Sequence, residues 1–109
     1  MTSSSGDEQL RALRERYRAS TGLIVEGFRA LALQLGSAPG DPVLLDALRR
    51  DLHRLHGTAG SYGYAEASRL AAALEDRVIG WQAAPTLEGA DRARSVAEFA
   101  QGLESAFGS

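Results

Sequence analysis

Apolar residues recurring every three or four positions constrain the fold of this chain more than any other feature. Leu10, Leu13, Tyr17, Ile24, Phe28, Leu31 and Leu35 keep that spacing, apart from a gap filled by Thr21. Arg11, Arg14, Glu15, Arg18 and Glu26 fall largely on other faces. The pattern predicts an amphipathic helix from Asp7 to Leu35, with Gly22 as the candidate point of a bend. Gly36-Ser37-Ala38-Pro39-Gly40 then breaks it.

Asp41-Pro42 marks a new helix start, with Asp as N-cap and Pro at the first helical position. Leu45, Leu48, Leu52, Leu55 and Ala59 share one face of that helix, which runs towards a turn at Gly60-Ser61-Tyr62-Gly63. A third helix from Tyr64 to Gly80 presents Ala67, Leu70, Ala71, Leu74 and Val78, with Trp81 one turn beyond to close the core. The last helix is expected to begin at Ala84-Pro85-Thr86, capped by Thr86, with Val96, Phe99, Ala100, Leu103 and Phe107 as its stripe. Tyr62 and Tyr64 are expected in interhelical packing. Four helices with short connections predict an all-α, up-down antiparallel four-helix bundle. The expected domain spans 7–109, after a flexible tail at 1–6.

Composition agrees with this reading. The chain has 109 residues, enough for one domain. It is 44% hydrophobic but only 6% aromatic, and an Ala- and Leu-rich core suits packed helices better than a β-sandwich. With no cysteine, disulfides, thiolate metal sites and cysteine nucleophiles are excluded. No apolar run is long enough to span a bilayer, and the Ser-rich start lacks the features of a signal peptide. A cytoplasmic protein without membrane contact is expected. Its formal net charge of −2, with all twelve basic residues Arg, lacks the basic excess of a nucleic-acid binder.

The second helix carries the chemistry. At about 100° per residue, its apolar residues occupy an arc of about 80°, centred about 120° from His53. His53 therefore projects sideways from the core. Gly57 and Gly60 lie within about 40° of it, leaving bare backbone just beyond the imidazole. Glycine inside an exposed helix destabilises by about 0.8–1.0 kcal/mol relative to Ala. The close approach of another protein's active site gives Gly57 a reason; Gly60 also has a simpler one, the helix terminus. An imidazole suits transient phosphoryl transfer, because one ring nitrogen can attack while the other is oriented by a hydrogen bond.

The run Leu52-His53-Arg54-Leu55-His56-Gly57-Thr58-Ala59-Gly60-Ser61-Tyr62-Gly63 resembles the signature of histidine-containing phosphotransfer (HPt) domains. In that family the His is followed by a hydrophobic residue at +2, usually Lys at +3, Gly at +4 and a closing Gly near +10. Tyr64 to Glu75, ending in Leu74-Glu75, is similar to the family's next helix. The resemblance implies a helical bundle whose exposed His53 takes a phosphoryl group from a receiver-domain phospho-Asp and passes it to another receiver. It implies response-regulator receivers and a hybrid histidine kinase as partners. No ATP site and no cofactor of its own are implied, Mg²⁺ belonging to the receiver.

One position departs from the family. His56 stands at +3, and an imidazole is only partly charged at neutral pH where Lys would be fully charged. Arg49 and Arg50, one turn before His53, are candidate substitutes, and His56 with one of them is expected to flank the phosphoryl group. A bland reading stands beside each assignment: His53 as a solvated helix histidine, His56 packed beside Leu52 and Ala59, Arg49 and Arg50 as a solvated face. The sequence leaves room for two further classes. One is a metal site on His53 and His56, for which no third ligand is evident on that helix. The other is a bundle that binds a receiver or kinase without carrying phosphate. A monomer is expected, since four helices can bury their own stripes.

Overall fold

A computed structural model describes residues 3–86 and 89–108 of the chain, with side chains described from residue 6 onwards. Four helices, α1 (Ser3–Ser37), α2 (Pro42–Ser61), α3 (Ala65–Ala83) and α4 (Arg92–Ala106), follow one another, with a single 3₁₀ turn at Gly89–Asp91 before α4. No strand occurs among the described residues.

Short connections force each helix to reverse on its predecessor, and cross-helix contacts bear this out. Arg29 of α1 pairs with Glu104 of α4, and Arg92 at the start of α4 reaches Pro39 just past the end of α1. On the other side of the bundle, His53 meets Glu75 and His56 meets Ser68, so α2 and α3 also run antiparallel. α2 packs most extensively on α3, and α1 on α4. The expected up-down antiparallel bundle is the observed one.

Its core is built from the expected stripes, except that Leu10 and Leu13 of α1 are exposed and Leu70 of α3 is only partly buried. Leu45, Leu48, Leu52, Leu55 and Ala59 of α2 are all buried, as are Ala67, Ala71, Leu74 and Val78 of α3 and Val96, Phe99, Ala100 and Leu103 of α4. On α1, Val25 and Ala32 join Phe28 and Leu35 inside, whereas Tyr17, Ile24 and Leu31 are only partly covered. Burying a side chain the size of Leu stabilises the fold by about 1.5–3 kcal/mol. Edge-to-face packing of Phe28 on Phe99, at 5.1 Å, locks α1 to α4.

Several expected boundaries change. α1 begins at Ser3, so Ser3–Gly6 are helical rather than a flexible tail; Met1 and Thr2 lie outside the described residues. Extending a helix already nucleated adds one hydrogen bond per residue, and no Pro intervenes to stop it. At 1.5 Å per residue, α1 is about 52 Å long against about 30 Å for α2, and its first turns overhang the other helices. Leu10 and Leu13 sit on that overhang and are exposed, contrary to their place on the expected apolar stripe. The helix continues through Gly22. α3 extends to Ala83, which puts Trp81 inside it, buried as expected.

The start of α4 also differs. It begins at Arg92, not at Thr86, and Leu87 and Glu88 lie outside the described residues. Arg92 explains the new start. Its guanidinium is fully buried and donates to the carbonyl oxygens of Pro39, Pro85 and Ala84, while stacking 5.5 Å above the Trp81 ring. One side chain thus gathers both connecting segments at this end. At the other end Tyr17, Tyr62, Tyr64 and Phe107 form an aromatic cluster, with Tyr17 stacked on Tyr62 at 4.6 Å.

Candidate functional site

α2 is started by local chemistry. Asp41 caps it by accepting a hydrogen bond from the Val43 amide at 2.9 Å, and Pro42 occupies the first turn, where its missing N–H is harmless. It is ended by a glycine turn: Gly63, at φ +88°, lets Tyr64 N–H reach back to the Ala59 carbonyl at 2.8 Å. Between these ends, five buried apolar residues fix the helix's rotation, and that rotation decides where His53 points.

It points outward. The His53 side chain is 77% exposed, and its Nδ1 lies 3.1 Å from Oε2 of Glu75, a side chain on α3 that is only 17% exposed. An ionised carboxylate accepts and cannot donate, so the contact places the ring proton on Nδ1. Nε2 is then left with its lone pair. The arrangement presents a nucleophilic nitrogen to solvent while the far side of the ring is held by a carboxylate.

Arg49, Arg50, His53, Arg54 and Glu75 line one shallow surface depression. The structure therefore brings both predicted arginines to His53 and adds Arg54 and Glu75. Arg50 is partly engaged by Asp46, at 3.3 Å, in an exposed i,i+4 pair. Arg49 and Arg54 make no ion pair among the described residues.

His56 is exposed, not packed beside Leu52 and Ala59, and turns towards α3. The Ser68 hydroxyl donates to the His56 carbonyl at 2.8 Å, and His56 Nδ1 lies 2.9 Å from that hydroxyl and 3.1 Å from the Ser68 carbonyl. Since the carbonyl only accepts and the hydroxyl proton is committed, Nδ1 must be the donor. His56 does not line the depression beside His53.

The two glycines separate cleanly. A Cβ on Gly57 would meet nothing within 4 Å, so no contact inside the chain requires glycine there. A Cβ on Gly60 would come within 3.2 Å of the Ser68 hydroxyl. The approach of α3 therefore gives Gly60 a reason within the chain itself. Among the described residues no group of three or more His, Cys, Asp or Glu gathers as a metal site, and no helix is long and apolar enough to cross a membrane.

Neither Glu75 nor Arg54 stood out as a site residue in the sequence. Leu74-Glu75 is similar to the family's helix ending, but only the register of α2 on α3 sets that carboxylate against His53. Arg54, adjacent to His53 in sequence, could have been found from the same helical geometry that selected Arg49 and Arg50.

No curated protein and no solved structure matches the chain. A family model, that of the Hpt domain, matches residues 5–106, nearly the whole chain. With the four-helix bundle and the exposed imidazole on α2 already in view, that match makes the chain a member of the Hpt domain family, the phosphotransfer modules of two-component signalling.

Proposed function

We propose that the chain is a phosphorelay intermediary, with His53 as its phosphoryl carrier. The observation that carries this reading is the His53 ring itself: largely exposed, with Nδ1 held by Glu75 and Nε2 free. In the proposed step the Nε2 lone pair attacks the phosphorus of a receiver's aspartyl phosphate. A P–N bond forms as the P–O bond to the aspartate breaks, and the electron pair leaves with the carboxylate. The product is a phosphorylated imidazolium whose Nδ1–H still donates to the Glu75 carboxylate. The carboxylate stabilises the charge the ring acquires, and reversing the step on a second receiver returns the ring to its starting state.

Gly57 leaves the surface beyond the ring bare, which suits a receiver's active site closing over Nε2. The partners are response-regulator receiver domains and a hybrid histidine kinase, and Mg²⁺ belongs to the receiver. The chain acts as a monomer in the cytoplasm, without an ATP site of its own. Incubation with a phosphorylated receiver tests the reading through acid-labile phosphate on the chain. Wild type should acquire label and His53→Gln should not. Label on both, or on neither across a panel of receivers, contradicts it.

A further inference from the structure

We infer that Arg54 and Arg49, rather than His56, hold the phosphoryl oxygens once His53 is phosphorylated. The inference rests on His53 being the carrier and names the groups that receive the charge delivered there. A phosphoryl group brings about two negative charges and three acceptor oxygens to Nε2. The chain has no Lys, so cations must come from Arg or from an imidazole.

His56 is badly placed for this. At about −60° from His53 on the helix it faces α3, where Nδ1 is committed to Ser68. Arg49, at about −40°, shares that flank but lies one turn earlier than His53, whereas Arg50 at about +60° and Arg54 at about +100° lie on the opposite flank, where Arg54 lines a groove with Leu23, Ile24 and Phe28 of α1. All three share one depression with His53, and among the described residues Glu75 is the only carboxylate lining it. Glu75 is engaged on Nδ1, and Arg50 is shared with Asp46. Arg49 and Arg54 thus remain as guanidiniums with no ion pair among the described residues, on either side of His53 around the helix and lining the same depression. A guanidinium offers paired N–H donors in a fork that matches two phosphoryl oxygens, and long exposed side chains can swing onto them without moving the helix.

The test uses the full chain phosphorylated on His53, by phosphoramidate or by a phosphorylated receiver, and follows the ³¹P signal against pH in the absence of any partner. Neighbouring guanidiniums favour the doubly ionised phosphoryl group, so its titration midpoint should rise by about half a pH unit in the Arg49→Ala/Arg54→Ala double variant. Acceptance from the receiver should slow by about tenfold, corresponding to the loss of charge-assisted hydrogen bonds. Replacing both by Lys should restore most of the midpoint, since charge is kept, and less of the rate. His56→Ala should leave the midpoint where it is in wild type.

An unchanged midpoint in the double variant overturns the inference. If transfer from the receiver alone slows, the arginines serve docking, which also overturns it. Failure of wild type to take phosphate from any donor instead overturns the assignment of His53, so the two failures are distinct. Circular dichroism of each variant confirms the fold, and substitution of exposed, unpaired side chains leaves it intact.

Discussion

His53 Nδ1 and Glu75 Oε2 are 3.1 Å apart, although the residues belong to different helices and lie 22 positions apart in the chain. In the proposed transfer the contact selects the ring tautomer and gives the emerging imidazolium a counter-charge. Glu75→Gln keeps an acceptor oxygen but removes the charge, whereas Glu75→Ala removes both. Acceptance of phosphate should fall in both variants, most in Glu75→Ala and there by about tenfold. Rapid-quench transfer from a phosphorylated receiver measures this. Equal rates in wild type and Glu75→Ala would show that the contact plays no part.

Gly57 and Gly60 should respond in opposite ways to alanine. At Gly57 the new methyl meets open space, so the helix gains about 0.8–1.0 kcal/mol and the melting temperature rises by about 4 °C. A larger side chain there, as in Gly57→Leu, should leave the fold intact and block receiver docking. At Gly60 the methyl crowds the Ser68 hydroxyl and disturbs its hydrogen bonds with His56, which offsets the helical gain. Thermal denaturation read alongside transfer activity separates the two positions.

Much of this fold can be read from local pattern. The α2 stripe, Asp41 as cap, the turn at Gly63 and the outward direction of His53 all depend on residues near one another in sequence. What local pattern does not carry is the packing of one helix against another. Leu10 and Leu13 have the spacing of core residues but lie where α1 outruns its neighbours. Thr86 looks like a cap, yet the helix starts at Arg92, whose buried guanidinium collects two carbonyls from the segment before it and a third from Pro39, 53 positions away. Glu75 and the Gly60–Ser68 contact depend on the same missing quantity, the register between α2 and α3.

Arg92 should therefore matter for stability out of proportion to any role in transfer. Arg92→Met removes the donors that satisfy the Pro39, Pro85 and Ala84 carbonyls, and the expected loss is on the order of 3 kcal/mol. Arg92→Lys should recover only part, because a single ammonium cannot span the three acceptors and the Trp81 face as the planar fork does. Urea unfolding followed by the fluorescence of Trp81 gives both values.

Stability should also fall in alkali for a definable reason. Burial holds the Tyr17 phenol above its ordinary value of 10.0; the hydrogen bond with Thr58 opposes this, and neighbouring Tyr64 and Tyr62 add to the rise. The unfolded chain then ionises first. The contribution is complete below about pH 10 and is lost as pH climbs through the folded value. Urea midpoints should decline over that range, and less steeply in Tyr17→Phe. Identical slopes in the two proteins would contradict the assignment.

The most direct measurement is a nitrogen–phosphorus NMR correlation on ¹⁵N-labelled chain that has taken phosphate from a receiver. The account predicts one phosphohistidine, on Nε2 of His53, with Nδ1 still protonated. A phosphoryl group on Nδ1 of that ring, or on His56, would contradict it.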